Sequence, residues 1–153
     1  MKPQRIQRKR TKGYKMPKNA IYVGRPTKWG NPFKLIQDCI YVDAGWRREQ
    51  VDKWVFWAVG NEKDIINLYE MLFEKWPVAV SGRPDFDYWN DHFIKLDLTE
   101  LKGKDLACWC KIVDKNNNYI QCHADILLSL SNNLLLNDVK NENIREEKLL
   151  QKR

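Results

Sequence analysis

Two short apolar runs, each ending in a loop crowded with unusual residues, constrain this chain more than anything else in it. Ala20-Ile21-Tyr22-Val23 leads into Gly24-Arg25-Pro26 and on to Phe33. Asp105-Leu106-Ala107-Cys108-Trp109-Cys110 leads into a polar loop that ends at Cys122-His123-Ala124-Asp125. Short apolar runs bounded by turn residues read as buried strands. If the two are parallel neighbours in one sheet, the loops leaving their carboxyl ends open on the same rim, where open α/β sheets take their ligands. The fold class expected is therefore α/β: a small Rossmann-like three-layer domain with a short, mainly parallel sheet.

The segments between these runs supply the helices. Val51, Trp54, Val55 and Ala58 recur at spacings of three and four, and so do Ile65, Ile66, Tyr69, Leu72, Phe73 and Trp76, so amphipathic helices are expected over 47–59 and 62–76. Pro77 ends the second, and Val78-Ala79-Val80 leads to a Ser81-Gly82-Arg83-Pro84 turn. A third helix is expected over 85–98, and a fourth from Cys122 with Ile126, Leu127 and Leu130 on one face. At 153 residues the chain has room for one ordinary domain. The division expected is a basic arm at 1–18, an α/β domain at 19–131, and a polar tail at 132–153 that is helical or disordered and lies outside the core.

Charge is segregated. Residues 1–37 hold 11 Lys and Arg and no acid, whereas the remaining 116 carry 16 basic and 20 acidic residues. A stretch with Arg5, Arg8, Lys9, Arg10 and Lys12, broken by Gly13 and Pro17, suits phosphates better than a buried element. Nucleic acid or a nucleotide is the partner expected. No stretch approaches the roughly 18 consecutive apolar residues of a membrane helix, and the basic N-terminus lacks the apolar segment of a secretory signal. An intracellular, cytoplasmic protein with no membrane partner is expected, its four cysteines free rather than paired.

The densest chemistry lies between Cys108 and Asp125. Cys108 and Cys110 are separated by one residue, an 11-residue loop follows, and Cys122 and His123 are adjacent. Structural zinc sites usually space a ligand pair by two to four residues, and neighbours on a helix point about 100° apart. This spacing argues against a metal, so no ligand set is assigned; zinc is the ion these donors would take, and cofactors are otherwise undetermined. At a helix start, Cys122 would instead sit where free N–H groups favour a thiolate or a bound phosphate. Small core cysteines and a capping histidine are the competing reading.

Brought together on one rim, the two loops form a candidate site. Arg25, Lys28, Trp29, Asn31 and Cys110 would bind ligand, offering cations for phosphate and an aromatic plate for a base, while Cys122, with His123 and Asp125 as proton carriers, would be catalytic if a reaction occurs. Trp29 could equally plug the edge of the core. The function expected is nucleotide or nucleic-acid binding, with cysteine-dependent chemistry on a nucleotide as its enzymatic form. The alternative is a structural RNA-binding subunit of a ribonucleoprotein, or a viral protein sequestering a signalling nucleotide.

The stretch from Arg5 to Tyr14, then Met16-Pro17, Val23-Gly24-Arg25-Pro26-Thr27-Lys28-Trp29-Gly30-Asn31-Pro32-Phe33, the run from Leu101 to Cys110, and Cys122-His123-Ala124-Asp125 resemble the family known as domain of unknown function 4326, seen in bacteria and viruses. The resemblance covers about residues 3–131, and its GNPF and CHAD motifs are specific. It implies a compact α/β domain without naming a reaction. Two departures stand out: residues 111–121 form a longer loop than the short Pro-containing one expected, and the last 20 or so residues lie outside the pattern.

Overall fold

A computed structural model describes residues 2–47, 53–74 and 83–153. The chain divides into two compact units, one made of 1–30 with 97–153 and the other of 31–96.

The first unit is built on a three-stranded parallel sheet. Strand β6 (Asp105–Cys108) lies between β1 (Arg5–Gln7) and β2 (Ala20–Tyr22), with Arg5 opposite Leu106 and Ile21 opposite the same Leu106. The parallel pairing of the two apolar runs is as the sequence suggested. Strand β1 corrects the reading of the first residues as an arm: its backbone completes an edge of the sheet, and Gln4 N donates to Asp105 Oδ1 at 2.9 Å. A short 3-10 turn (Leu98–Leu101) precedes β6, and helix α3 (His123–Asn132) packs on the sheet. Leu101, Leu106, Ala107, Ala124, Leu127 and Leu128 are fully buried between them. Leu130, expected on the inner face, is 40% exposed.

Asn133 closes α3 in the left-handed conformation (φ 53°, ψ 47°), and helix α4 (Leu136–Gln151) follows. The supposed polar tail is thus a helix packed on α3, and it buries Val139 and Asn143. Its buried stripe is narrow and half polar, which is why hydrophobic periodicity did not announce it.

The second unit holds an antiparallel sheet of β3 (Phe33–Ile36), β4 (Cys39–Asp43) and β5 (Trp54–Val59), with helices α1 (Glu62–Met71) and α2 (Pro84–Ile94). Gln37 and Asp38 both take positive φ (47° and 60°), the requirement of a tight two-residue hairpin turn. The helix expected over 47–59 is corrected. Residues 48–52 lie outside the described residues, and Trp54–Val59 is a strand registered on β4 from Asp43↔Trp54 to Cys39↔Val59. Its sequence, WVFWAV, is β-branched and aromatic, and cross-strand pairing decides the structure over a helical spacing that also fits. The end of the second expected helix, its Pro77 stop and the segment 78–82 also lie outside the described residues. Tyr69, Phe73 and Phe93 pack edge to face, with ring centroids 5.1–5.3 Å apart, at the centre of this unit.

No helix among the described residues is long and apolar enough to cross a membrane.

Candidate functional site

Parallel pairing directs the carboxyl ends of β1, β2 and β6 to one edge of the first unit, and the chemistry gathers there. The loop after β2 is tight. Tyr22 Oη donates to the Arg25 carbonyl at 2.8 Å, Thr27 Oγ1 donates to the Gly24 carbonyl at 2.6 Å, and the Arg25–Pro26 peptide is cis. A Cβ on Gly24 would lie 2.5 Å from the Tyr22 hydroxyl oxygen, so the Tyr22 ring can lie over the turn only because residue 24 is glycine. Arg25 is exposed at the tip. Lys28 is already engaged, its Nζ 2.8 Å from both carboxylate oxygens of Glu100.

Trp29 is 4% exposed and presents no open face for a base, so it plugs the core. Asn31 is buried in the second unit, where its Oδ1 accepts from Phe33 N at 2.9 Å and shapes the turn into β3. Of the ligand-binding set read from sequence, the first unit's rim thus presents Arg25, Cys110 and the Glu100-paired Lys28 to solvent.

The exposed aromatic of this rim is one the sequence reading did not single out. Trp109 is 41% exposed just beyond β6. Arg8 holds its guanidinium 4.6 Å from the ring centroids of both Trp109 and Tyr22, and Arg10 sits 5.0 Å from Trp109. Neither arginine forms an ion pair among the described residues. The signal available in sequence was alternation: a Trp between two cysteines at a strand end must face away from whatever they face.

Arg5, expected to contact phosphate, does something else. It is 2% exposed, and its Nη1 lies 2.7 Å from Asp125 Oδ2. Its Nη2 donates to the carbonyls of Lys111 and Ile120 at 2.9 and 2.8 Å. Arg5 therefore clamps both ends of the 111–121 loop against the start of α3. That loop is itself an ordered hairpin: Ile120 N donates to the Ile112 carbonyl at 2.8 Å, Val113 bridges Tyr119, and the Asp114 carboxylate caps the turn. The longer loop noted in the sequence is thus a hairpin that connects Cys110 to Cys122.

Asp125 is saturated. Its Oδ2 also accepts from Cys122 N at 2.9 Å, and its Oδ1 accepts from Asn143 Nδ2 at 2.9 Å. Asn143 Oδ1 accepts from Arg5 N at 2.8 Å, and its amide reaches the Tyr119 hydroxyl at 3.0 Å. Burial first, and then the negative charge of Cys122, push the Asp125 carboxyl up to about 6 against the pull of Arg5. Both oxygens of Asp125 are engaged within the fold, so it is a structural hub.

Cys122 is the N-cap of α3, in extended conformation (φ −141°, ψ 175°), and its Sγ lies 3.6 Å from that of buried Cys108. The Cys110 sulfur joins them, all three within 4.8 Å of one another. Among the described residues this is the one such group of His, Cys, Asp or Glu placed closely enough to hold a metal ion. Sequence spacing does not show this convergence, because Cys122 precedes the helix instead of lying in it, and because Cys110 follows the end of β6 instead of continuing it.

His123 Nε2 lies 3.0 Å from the Val23 carbonyl. Burial opposes its charge, but the influence of the Cys110 and Cys122 side chains and of the Val23 carbonyl pushes its pKa up to about 10. Burial likewise opposes a Cys122 thiolate, and hydrogen bonds from Cys108 and Cys110 with the nearby Arg5 charge lower its pKa regardless. Cys108 moves the other way, raised by its hydrogen bonds to the other two thiols and by burial.

No curated protein and no solved structure matches this chain. Residues 6–133, which carry strands β2 and β6, the arginine pair on Trp109 and the whole cysteine cluster, match the family model described as domain of unknown function (DUF4326), and the chain belongs to that family.

Proposed function

We propose that this protein binds single-stranded nucleic acid, or a nucleotide, on the carboxyl rim of its parallel sheet. The observation that carries the reading is the arrangement of Arg8 against both Tyr22 and Trp109, with Arg10 close to the same indole. Two cations without a counter-ion among the described residues lie beside an exposed aromatic face, so a base can stack where a phosphate is also attracted. Arg25, Lys9 and Lys12, all exposed, extend the positive field along the same segments of chain. The parallel strands and the helix entered from the end of β6 support a Rossmann-like, three-layer reading of this unit, with ligand at the usual edge.

Binding without a chemical step is the form we favour. Cys122 is 4% exposed and Asp125 is fully engaged, which leaves the expected nucleophile without access and without its second proton carrier. The test is the anisotropy of a labelled single-stranded oligonucleotide titrated at several salt concentrations. A binding slope of about 0.7 logarithmic units per neutralised phosphate is expected, and Arg8→Ala with Arg10→Ala should lower it by about that amount for each phosphate no longer neutralised. Trp109→Ala should weaken binding by about 1–3 kcal/mol per stacked base and leave the slope nearly unchanged. Absence of binding at low salt, or a slope indifferent to both arginines, would overturn the reading.

A further inference from the structure

The cysteine cluster has a geometry that packing alone does not require. Three sulfurs from separate stretches of chain converge: one from the end of β6, one from the bend two residues later, one from the N-cap of α3. None is in a disulfide. Thiolates bound tetrahedrally at about 2.3 Å from one zinc ion lie roughly 3.7–3.8 Å apart. The Cys108–Cys122 separation is 3.6 Å, and the widest of the three is within 4.8 Å, about one ångström from closure.

A fourth donor follows Cys122 directly in the chain. His123 lies outside the close group of three sulfurs, and with its Nε2 at the Val23 carbonyl, Nδ1 is the ring atom that would close onto an ion. A metal-bound histidine ordinarily donates its other ring N–H to a carbonyl or carboxylate, which fixes both tautomer and ring plane. That outer bond is already made here.

We propose that Cys108, Cys110, Cys122 and His123 hold one structural zinc ion in a closed tetrahedral site. Three thiolates and an imidazole suit zinc by softness and by number, and no carboxylate or open position is left for chemistry at the ion. Three thiolates exceed the charge of one zinc ion by one, and the buried Arg5 guanidinium, although paired with Asp125, also attracts the charge on Cys122. The ion would tie the end of β6, the 111–121 hairpin and the start of α3 at one point, directly behind Trp109. This goes beyond nucleic-acid binding and does not depend on it, since the readout is the metal.

The experiment uses the full chain, purified without chelator and under reducing conditions. Elemental analysis and native mass spectrometry should give one zinc per chain. After zinc is removed, cobalt(II) should restore one equivalent, with visible absorption of a tetrahedral ion and a thiolate-to-cobalt charge-transfer band. Cys110→Ala replaces an exposed side chain, so the variant should keep its circular dichroism, and it should lose zinc affinity by more than about 100-fold, the upper end for loss of a mere outer-shell partner. Cys39→Ser, in the other unit, should keep one zinc per chain. Wild-type protein that is folded yet takes up neither zinc nor cobalt overturns the proposal. So does iron in place of zinc, or a Cys108–Cys122 disulfide in peptide maps of protein kept reduced.

Discussion

Helices α1 and α3 begin with the same device and end up with different jobs. Each is preceded by an extended N-cap, Asn61 (φ −128°, ψ −178°) or Cys122 (φ −141°, ψ 175°). Each carries an aspartate at the third helical position that reaches back to the N-cap amide, at 2.8 Å for Asp64 and 2.9 Å for Asp125. The Asn61 box faces water. Asp125 is 2% exposed, and a buried carboxylate must be satisfied on every side, so it gathers Arg5 and Asn143 as well. Burial alone turns a local cap into the point where β1, the 111–121 hairpin, α3 and α4 are joined.

The sharpest way to break that comparison is to remove the charges. Asp125→Ala leaves Arg5 buried and unpaired, and should destabilise the protein by about 3–5 kcal/mol in urea unfolding. Arg5→Ala should cost a similar amount, with the carbonyls of Lys111 and Ile120 also orphaned. Because the two losses share one interaction, the Arg5→Met and Asp125→Leu double change should cost clearly less than the sum of its singles. If Asp125→Ala costs no more than Asp64→Ala, the two boxes are equivalent and the hub does not exist.

A smaller effect is expected at Asn143. Its side chain satisfies Arg5 N and Asp125 Oδ1 at once, so Asn143→Ala should cost about 1–3 kcal/mol through the groups it strands. The same change tests whether α4 belongs to the core of its unit. A loss near zero would return 136–151 to the status of a solvated appendage.

How much of this could be read in the sequence follows from the range of each interaction. The parallel pair of β2 and β6 was legible because short apolar runs ending in Gly-, Pro- and Cys-rich loops carry a local signature. So was Cys122 at a helix start. Strand β5 was not, because Val51, Trp54, Val55 and Ala58 satisfy a helical spacing, and only pairing with β4 across the sheet decides otherwise. Arg5 looks like its basic neighbours because nothing local separates it from Arg8. What separates them is a partner 120 residues away. Trp29 and Trp109 exchange roles for the same reason: exposure belongs to the assembled fold, not to the motif. The sulfur cluster escapes a spacing rule drawn from sites whose ligands lie on regular elements, since here two of the three lie just outside them.

The least costly change should be at the exposed box, and its smallness is what the comparison needs. Asn61 Oδ1 accepts from Lys63 N at 2.9 Å and Asp64 N at 3.2 Å, so Asn61→Ala should cost about 1 kcal/mol by leaving first-turn donors to water. Asp64→Ala should cost less, about 0.3–1 kcal/mol, since water replaces its bond to Asn61 N and the remainder is attraction to the helix N-terminus, which salt weakens. Amide hydrogen exchange separates the two cases. Either change should speed exchange in the first turn of α1 and leave α3 untouched, whereas Asp125→Ala should speed exchange through β1, the 111–121 hairpin and α4 together. A loss above about 2 kcal/mol at Asp64, beyond what an exposed cap supplies, would mean that its carboxylate too has distant partners, and position in the fold rather than the cap itself would no longer separate the two helices.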